Sequence, residues 1–266
     1  MSSVLGEVIA TARAQGRAAL IGYLPVGYPD IDTSIRAMVA LVEGGADAVE
    51  VGVPYSDPGM DGPVIQRAVD PAVRAGVRVA DALHAVSAVA AAGAAAVVMS
   101  YWNPIDRYGV DRFAADLAAA GGAGAITPDL IPDEAGDWLA ATDRYGLDRV
   151  FLVAPSSTET RLAATVAACR GFVYAASTMG VTGTRAAVGD AAQQLVTRVR
   201  ATGQEIAVCV GLGVSGAAQA TEVASFADGV IVGSAFVRRL LDSPDQGGVD
   251  AVRALATELA EGVRRR

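Results

Sequence analysis

The most regular feature of the chain is an alternation of short apolar runs with longer stretches of mixed character. The short runs are rich in β-branched residues, which is typical of buried strands, and the longer stretches have the spacing of helices. We predict eight strands, at 19–23, 48–52, 95–100, 124–127, 149–154, 171–176, 206–210 and 229–233. Amphipathic or Ala-rich stretches lie between them, at 30–44, 62–92, 109–120, 133–145, 158–168, 190–202 and 215–224, and the second of these begins with a helix predicted at 62–75. Helices are also predicted near 2–15 and 248–263, and the stretch 234–241 follows the last strand.

This alternation determines the predicted fold class. Strands that alternate with helices form parallel sheets with crossover connections. Eight such units in 266 residues predict an α/β fold, a closed (β/α)8 TIM barrel with an extra N-terminal helix. A doubly wound open sheet is the alternative. We find no linker or low-complexity break, so a single domain over residues 1–266 is expected.

One segment raises the question of a membrane span. Residues 85–102 contain no charged side chain over 18 positions, which is close to the length that crosses a bilayer. However, the segment is mostly Ala, Gly93 interrupts it, and residues 97–99 look like a strand. We therefore predict a helix end, a turn and a strand, and no contact with a membrane.

Composition narrows the function classes. The net charge is −8 and the pI about 4.7, so binding to nucleic acid or to an anionic membrane is not expected. Cys169 and Cys209 have no metal-type neighbours and look like thiols of a reducing compartment. Residues 1–16 lack the basic and apolar parts of a signal peptide. A cytoplasmic location is the expectation.

The strongest candidate chemistry is a pair of carboxylates, Glu50 and Asp61. Side chains alternate across a strand, so if Val49 and Val51 face the outer helices, Glu50 faces the barrel interior near its mouth. A carboxyl group in such a place has a raised pKa and can both donate and accept a proton. Asp61 follows in a Gly/Pro loop that can fold back across the mouth. Two alternatives stay open: Glu50 pairs with an arginine, and Asp61 caps a helix.

Glycine loops late in the chain predict a phosphate site. TIM barrels bind phosphate after strands seven and eight, where backbone N–H groups and a helix N-terminus supply positive potential. The candidate donors are Gly183, Gly211, Gly213, Gly233 and Ser234. This suits a chain whose overall field repels anions.

Three tyrosines and several absences refine the hypothesis. Tyr23, Tyr101 and Tyr174 lie at or near strand ends and could line a pocket for a planar group, although each alone could equally be core filling. The only histidine, His84, lies in a helical stretch, which disfavours a Ser-His-Asp triad. No metal motif is present and no lysine lies at a strand end for a Schiff base. Any carbon–carbon cleavage would depend on carboxylates.

Five motifs follow one another from about residue 49 onwards: VEVGVPYSDPGMDGP, ITPDLIPDEA, FVYAASTMGVTGTR, VGLGVS and DGVIVGSA. In this order they closely resemble the α subunit family of tryptophan synthase. The resemblance spans residues 18 to 240, and it implies cleavage of indole-3-glycerol phosphate to indole and glyceraldehyde 3-phosphate. It further implies that Glu50 is the acid/base, that Asp61 binds the indole N–H, and that Tyr174 supports Glu50. No cofactor or metal is implied on this chain.

The resemblance also implies a partner. The family pairs with a β subunit that carries pyridoxal phosphate, in an α2β2 heterotetramer, and passes indole to it through a channel. The implied contact residues are Pro54, Asp57, Asn103, Pro104 and Asp129.

The chain departs from the family pattern at two places. Tyr28 occupies a position where many members have Asp, and Thr178 and Met179 occupy a region where many have Arg. These departures concern lid closure and signalling to the partner. Two alternative functions stay open. The chain could be another phosphate-handling barrel enzyme, or a catalytically inactive barrel that only binds and activates the partner.

Overall fold

The computed structural model describes residues 3–176, 185–211 and 213–264. Predictions for Thr178, Met179 and Gly183 therefore lie outside the described residues. Within these ranges there are nine strands: β1 Ala19–Pro25, β2 Ala48–Gly52, β3 Ala95–Met99, β4 Gly124–Ile126, β5 Asp148–Val150, β6 Leu152–Val153, β7 Phe172–Ala176, β8 Ala207–Gly211 and β9 Gly229–Val232. All named strand pairs are parallel, in the order β5-β4-β3-β2-β1-β9-β8-β7-β6.

The two edge strands show how the sheet closes. β5 pairs with β4 at one edge and β6 pairs with β7 at the other. Only Phe151 separates β5 from β6, so the two are halves of the single strand predicted at 149–154. The sheet therefore closes on itself, which confirms the predicted TIM barrel. The open-sheet alternative is wrong.

Helices follow the strands around the outside of the barrel. The described residues contain twelve: α1 Val4–Ala14, α2 Ile31–Glu43, α3 Pro63–Arg74, α4 Val79–Ala91, α5 Trp102–Tyr108, α6 Val110–Ala119, α7 Gly136–Tyr145, α8 Glu159–Ala168, α9 Arg185–Arg200, α10 Ala217–Ala224, α11 Ser234–Asp242 and α12 Gln246–Val263. The extra N-terminal helix is confirmed as α1. Every helix in the described ranges is too short or too polar to cross a membrane.

The apolar core has two layers, as a closed barrel requires. Val49 and Val51 belong to the layer between strands and helices. Ala48 belongs to the layer inside the barrel, so Glu50, two positions later on the same strand, also points inwards. The inner layer includes Leu5 and Ile9 of α1. α1 therefore closes the N-terminal end of the barrel and leaves the C-terminal end open.

The stretch 62–92 contains two helices, α3 and α4, and α3 agrees with the helix predicted at 62–75. The two helices are separated at Gly76, which adopts a φ of 79°, and Asp81 accepts the Arg78 N–H where α4 begins. The helix α5 was not predicted. The uncharged segment 85–102 divides into the end of α4, a turn and β3, as expected from its Gly93 and its strand-like end.

Candidate active site

Glu50 lies in the middle of β2 and is almost fully buried, with a relative exposure of 1%. Its Oε1 atom has no hydrogen-bond partner among the described residues. Burial raises the pKa of the Glu50 carboxyl to about 8, because the charged form loses its hydration. No ion pair in the described part of the chain involves Glu50. The arginine-pair alternative is therefore wrong, and a buried proton donor remains.

Asp61 lies in the loop between β2 and α3. The Tyr101 hydroxyl donates to its Oδ1 at 3.3 Å. Burial raises the pKa of Asp61 to about 6, and the Tyr101 hydrogen bond acts in the opposite direction. The helix-cap alternative is wrong, since the N-cap of α3 is Gly62 and no side chain caps that helix. Asp61 is therefore ionised at a pH where Glu50 still holds its proton.

A cavity of about 710 Å³ brings most of the predicted site residues together at the C-terminal ends of the strands. The predicted residues that line it are Tyr23, Glu50, Asp61, Tyr174, Gly211, Gly213, Gly233 and Ser234. Tyr101 is not among the lining residues, because it lies behind Asp61. This arrangement places two carboxyl groups and several glycines around one space.

The glycines at one side of the cavity leave room for close approach of a ligand. Gly213 has a φ of 64°, a left-handed conformation that favours glycine. Gly233 is the N-cap of α11, whose first turn contains no acidic side chain. The N–H groups of the first turn of a helix have no intrahelical partner, and they carry the positive end of its dipole. This corner of the cavity therefore suits a phosphate group.

The two lining tyrosines are buried next to the carboxyl groups. Burial, followed by the charges of Asp61 and Glu50, raises the pKa of Tyr23 well above its usual range. Burial, with the Glu50 charge next, does the same for Tyr174. A Cβ atom at Gly211 would lie 2.5 Å from the Tyr174 hydroxyl, so this glycine makes space for the tyrosine. Both phenols therefore stay neutral at neutral pH.

Sequence reasoning missed the apolar part of the wall. These residues are Met60, Ile65, Met99, Pro128, Leu152 and Ile231. Met99, Leu152 and Ile231 lie at or near the C-terminal ends of β3, β6 and β9. The rule that strand ends face the site would have found these three. Together they give the cavity an apolar side that fits a flat aromatic group.

The residues implied as partner contacts lie in the segments that follow β2, β3 and β4, at the same end of the barrel as the cavity. Asp57, Asn103 and Asp129 are exposed, and Pro104 is half-buried. Asn103 Nδ2 donates to the Tyr55 hydroxyl at 3.1 Å, and Asp129 Oδ1 accepts the Trp102 N–H at 2.8 Å. Pro54 differs because it is buried beneath this surface. It supports the loop and offers no exposed area in this structure.

The remaining candidates for chemistry lie elsewhere. His84 is exposed on α4, away from the cavity. No group of His, Cys, Asp and Glu side chains suited to a metal ion occurs in the described ranges. A second cavity, of about 810 Å³, lies beside α1 at the opposite end of the barrel. None of the predicted site residues lines it.

Known proteins resemble this chain over nearly its whole length. A family model described as "Tryptophan synthase alpha chain" matches residues 9–264. The tryptophan synthase alpha chain of Mycobacterium avium (strain 104) is 66% identical over 265 residues, covering 100% of this chain and 96% of that protein. The Thermobifida fusca (strain YX) protein of the same name is 62% identical, with 98% of each covered. A solved structure of Mycobacterium tuberculosis tryptophan synthase superposes with a TM-score of 0.93 at 63% identity, covering 99% of both chains.

Proposed function

Because this chain belongs to the tryptophan synthase alpha chain family, which carries the indole-3-glycerol phosphate lyase activity, we propose that Glu50 and Asp61 perform that cleavage as an acid/base pair. One observation supports this most: Glu50 is buried in the same cavity as Asp61, and one of its oxygens has no hydrogen-bond partner in the described ranges of the chain. The raised pKa of Glu50, about 8, keeps its proton available at neutral pH. The lower pKa of Asp61, about 6, leaves its carboxylate negative.

In the first step, protonated Glu50 gives its proton to C3 of the indole ring. The ring loses its aromaticity and positive charge develops at N1. The Asp61 carboxylate accepts a hydrogen bond from N1–H and stabilises that charge. This stabilisation is strong in a cavity with apolar walls, where water does not screen it.

In the second step, the Glu50 carboxylate takes the proton from the glycerol hydroxyl next to the ring. The O–H electrons form the aldehyde C=O bond, and the bond between C3 and the glycerol carbon breaks. Its electron pair returns to the ring and restores indole. Glu50 ends protonated, ready for another cycle, and glyceraldehyde 3-phosphate leaves. The protonated ring is the electron sink in this scheme, so the residues of this chain suffice for it.

The remaining residues hold the substrate. We propose that the phosphate binds to backbone N–H groups of Gly211, Gly213, Gly233 and Ser234, with Gly183 as a further donor. The open N-terminus of α11 supports this placement. We propose that the indole ring lies against Tyr23 and the apolar wall, and that Tyr174 packs beside Glu50.

We also propose the assembly. The structures that this chain resembles include tryptophan synthase of Mycobacterium tuberculosis. We infer an α2β2 complex with a β subunit that carries pyridoxal phosphate and receives the indole. The exposed residues Asp57, Asn103 and Asp129 are the proposed contact surface.

The test is indole release from indole-3-glycerol phosphate by the purified chain and two variants, with and without a β subunit. For both Glu50→Gln and Asp61→Asn we expect turnover to fall roughly 10²- to 10⁴-fold, the usual contribution of an acid/base group. The control is Glu205→Gln, an exposed carboxylate before β8 at the other end of the barrel, which should keep the wild-type rate. Unchanged turnover in Glu50→Gln, in a folded protein, would refute the mechanism.

A further inference from the structure

Tyr101 joins two loops that carry the proposed chemistry. It lies directly before α5, at the end of β3, and its side chain is buried. Its hydroxyl accepts the Met60 N–H at 2.9 Å and donates to Asp61 Oδ1 at 3.3 Å. One phenol oxygen therefore holds both the backbone and the carboxylate of a loop that is 40 residues away in sequence.

The ring of Tyr101 is itself held from the other side. Its centroid lies 5.3 Å from that of Tyr55, with the two planes tilted by 32°. The Tyr55 hydroxyl accepts a hydrogen bond from Asn103. The backbone of Tyr101 is also fixed, because the Ser100 hydroxyl donates to its carbonyl at 2.8 Å. A ring packed in this way has little freedom to rotate away from Asp61.

The Asp61 carboxylate depends on Tyr101 for its orientation, because the loop that contains Asp61 fixes the carboxylate only weakly. Residues 53–62 contain no helix or strand. Gln66 bonds to the Asp61 carbonyl, which leaves the carboxylate itself unaffected. Among the described residues, Tyr101 is the only one whose side chain hydrogen-bonds the Asp61 carboxylate. Without that bond, rotation about the Asp61 side chain can turn the carboxylate away from the cavity.

We propose that Tyr101 is a positioning residue for the cleavage reaction, and that its hydroxyl, supported by the Tyr55 ring, holds the Asp61 carboxylate towards the indole nitrogen. The inference rests on the proposed role of Asp61 and adds a residue that does not line the cavity. Tyr101 acts on the rate through the geometry of Asp61. A misplaced carboxylate cannot stabilise charge that develops only in the transition state.

The variant that tests this is Tyr101→Phe, which removes one oxygen and keeps the ring. We expect kcat for indole release to fall roughly 10- to 100-fold, with KM within about twofold, because the lost interaction matters mainly in the transition state. The matched control is Tyr108→Phe. Tyr108 donates to Asp116 at 2.7 Å on the outer helices, so it also loses a phenol–carboxylate bond. Its kcat should equal that of the wild type.

The pH profile distinguishes positioning from general support of the fold. Burial sets the pKa of Asp61 high, and the Tyr101 bond lowers it to about 6. Removing the bond raises this pKa, so the acid limb of kcat/KM should move to higher pH in Tyr101→Phe. Tyr23 and Tyr174 on the facing strands share electrostatic contact with Asp61, and Glu50 lines the same cavity. The two phenols stay neutral here, and Glu50, with a pKa of about 8, governs the basic limb.

A second variant keeps the test decisive if Tyr101→Phe folds poorly. Tyr55→Ala removes the ring support and should change kcat and the acid limb in the same direction, while the control Tyr108→Phe keeps the wild-type values of both. Wild-type kcat in Tyr101→Phe, or a lower kcat with an unmoved acid limb, would overturn the inference. If Asp61→Asn is inactive, either of these results for Tyr101→Phe refutes only the role of Tyr101 and leaves the proposed function intact. An active Asp61→Asn would instead refute the role of Asp61 itself.

Discussion

At the residue scale, the proposed acid/base group Glu50 lowers the stability of the fold when it is ionised. In the unfolded chain a glutamate has an ordinary pKa of 4.5, and in the folded protein its pKa is about 8. Its folded-state pKa is raised, so the carboxyl favours the folded state only while it is protonated. This contribution is complete below about pH 4.5 and is lost as the pH rises towards 8. The stability is lost because the ionised carboxylate is buried, away from water, and no described residue donates a hydrogen bond to its Oε1 atom.

We therefore predict that Glu50→Gln is inactive and more stable than the wild type under alkaline conditions. Glutamine has the same shape and never ionises, so at pH 8.5 the variant should gain about 4–5 kcal/mol in free energy of unfolding. At pH 5 the gain should largely vanish. Urea unfolding at both pH values measures the difference. A gain that is the same at both pH values would show that the burial of charge is not its cause.

The same residues show what sequence reasoning can reach. Glu50 was predicted because strand alternation alone turns it inwards between Val49 and Val51. The Tyr101–Asp61 bond was not predicted, because it joins two loops 40 residues apart and depends on the exact path of the Gly/Pro loop. Periodicity describes regular elements. It contains no information on how two irregular segments meet.

At the element scale, strand positions were predicted well because apolar runs are local signals. The fifth predicted strand, 149–154, differs from the structure, where Phe151 separates it into β5 and β6. β5 pairs with β4 and β6 pairs with β7, so the barrel closes at this strand. The missed helix α5 is a single short segment with Pro104 inside it, and seven residues are too few to show a periodic apolar face. The closure of the barrel and its short connecting helices depend on contacts across the whole barrel, so a short sequence segment does not predict them.

The docking of α1 depends on one buried carboxylate. Asp148, at the start of β5 with 1% exposure, accepts the Leu5 N–H at 2.8 Å. Its other oxygen lies 3.5 Å from the Arg170 guanidinium. The N-terminus of α1 therefore rests on a negative charge inside the closed end of the barrel.

We predict that Asp148→Ala lowers the free energy of unfolding by about 2–3 kcal/mol, because it leaves a buried N–H without an acceptor. Asp143→Ala is the matched control. Asp143 also pairs with Arg170, at 3.1 Å, but its side chain is 59% exposed, so its removal should cost less than about 1 kcal/mol. Urea unfolding near neutral pH measures both. Equal losses in the two variants would contradict the role of Asp148.

At the scale of the whole molecule, the two ends of the barrel serve different purposes. α1 closes the N-terminal end, and the cavity opens at the C-terminal end beside the loops that follow β2, β3 and β4. The net charge of −8 opposes the approach of a phosphorylated substrate. In the proposed site, binding of the phosphate therefore relies on local backbone dipoles at α11, which would also orient the substrate towards Glu50.

The position of the mouth leads to a prediction about the partner. In the proposed assembly, the β subunit that receives indole covers the end of the barrel where Asp57 is exposed. We predict that Asp57→Lys raises the Kd for the β subunit at least roughly tenfold, since reversing an interfacial charge disrupts complementary contacts. The control, Glu205→Lys, changes the net charge by the same amount at the opposite end of the barrel. Titration calorimetry at one ionic strength compares the two. Equal weakening would mean that the partner senses only the total charge, and the contact surface would then have to be sought elsewhere.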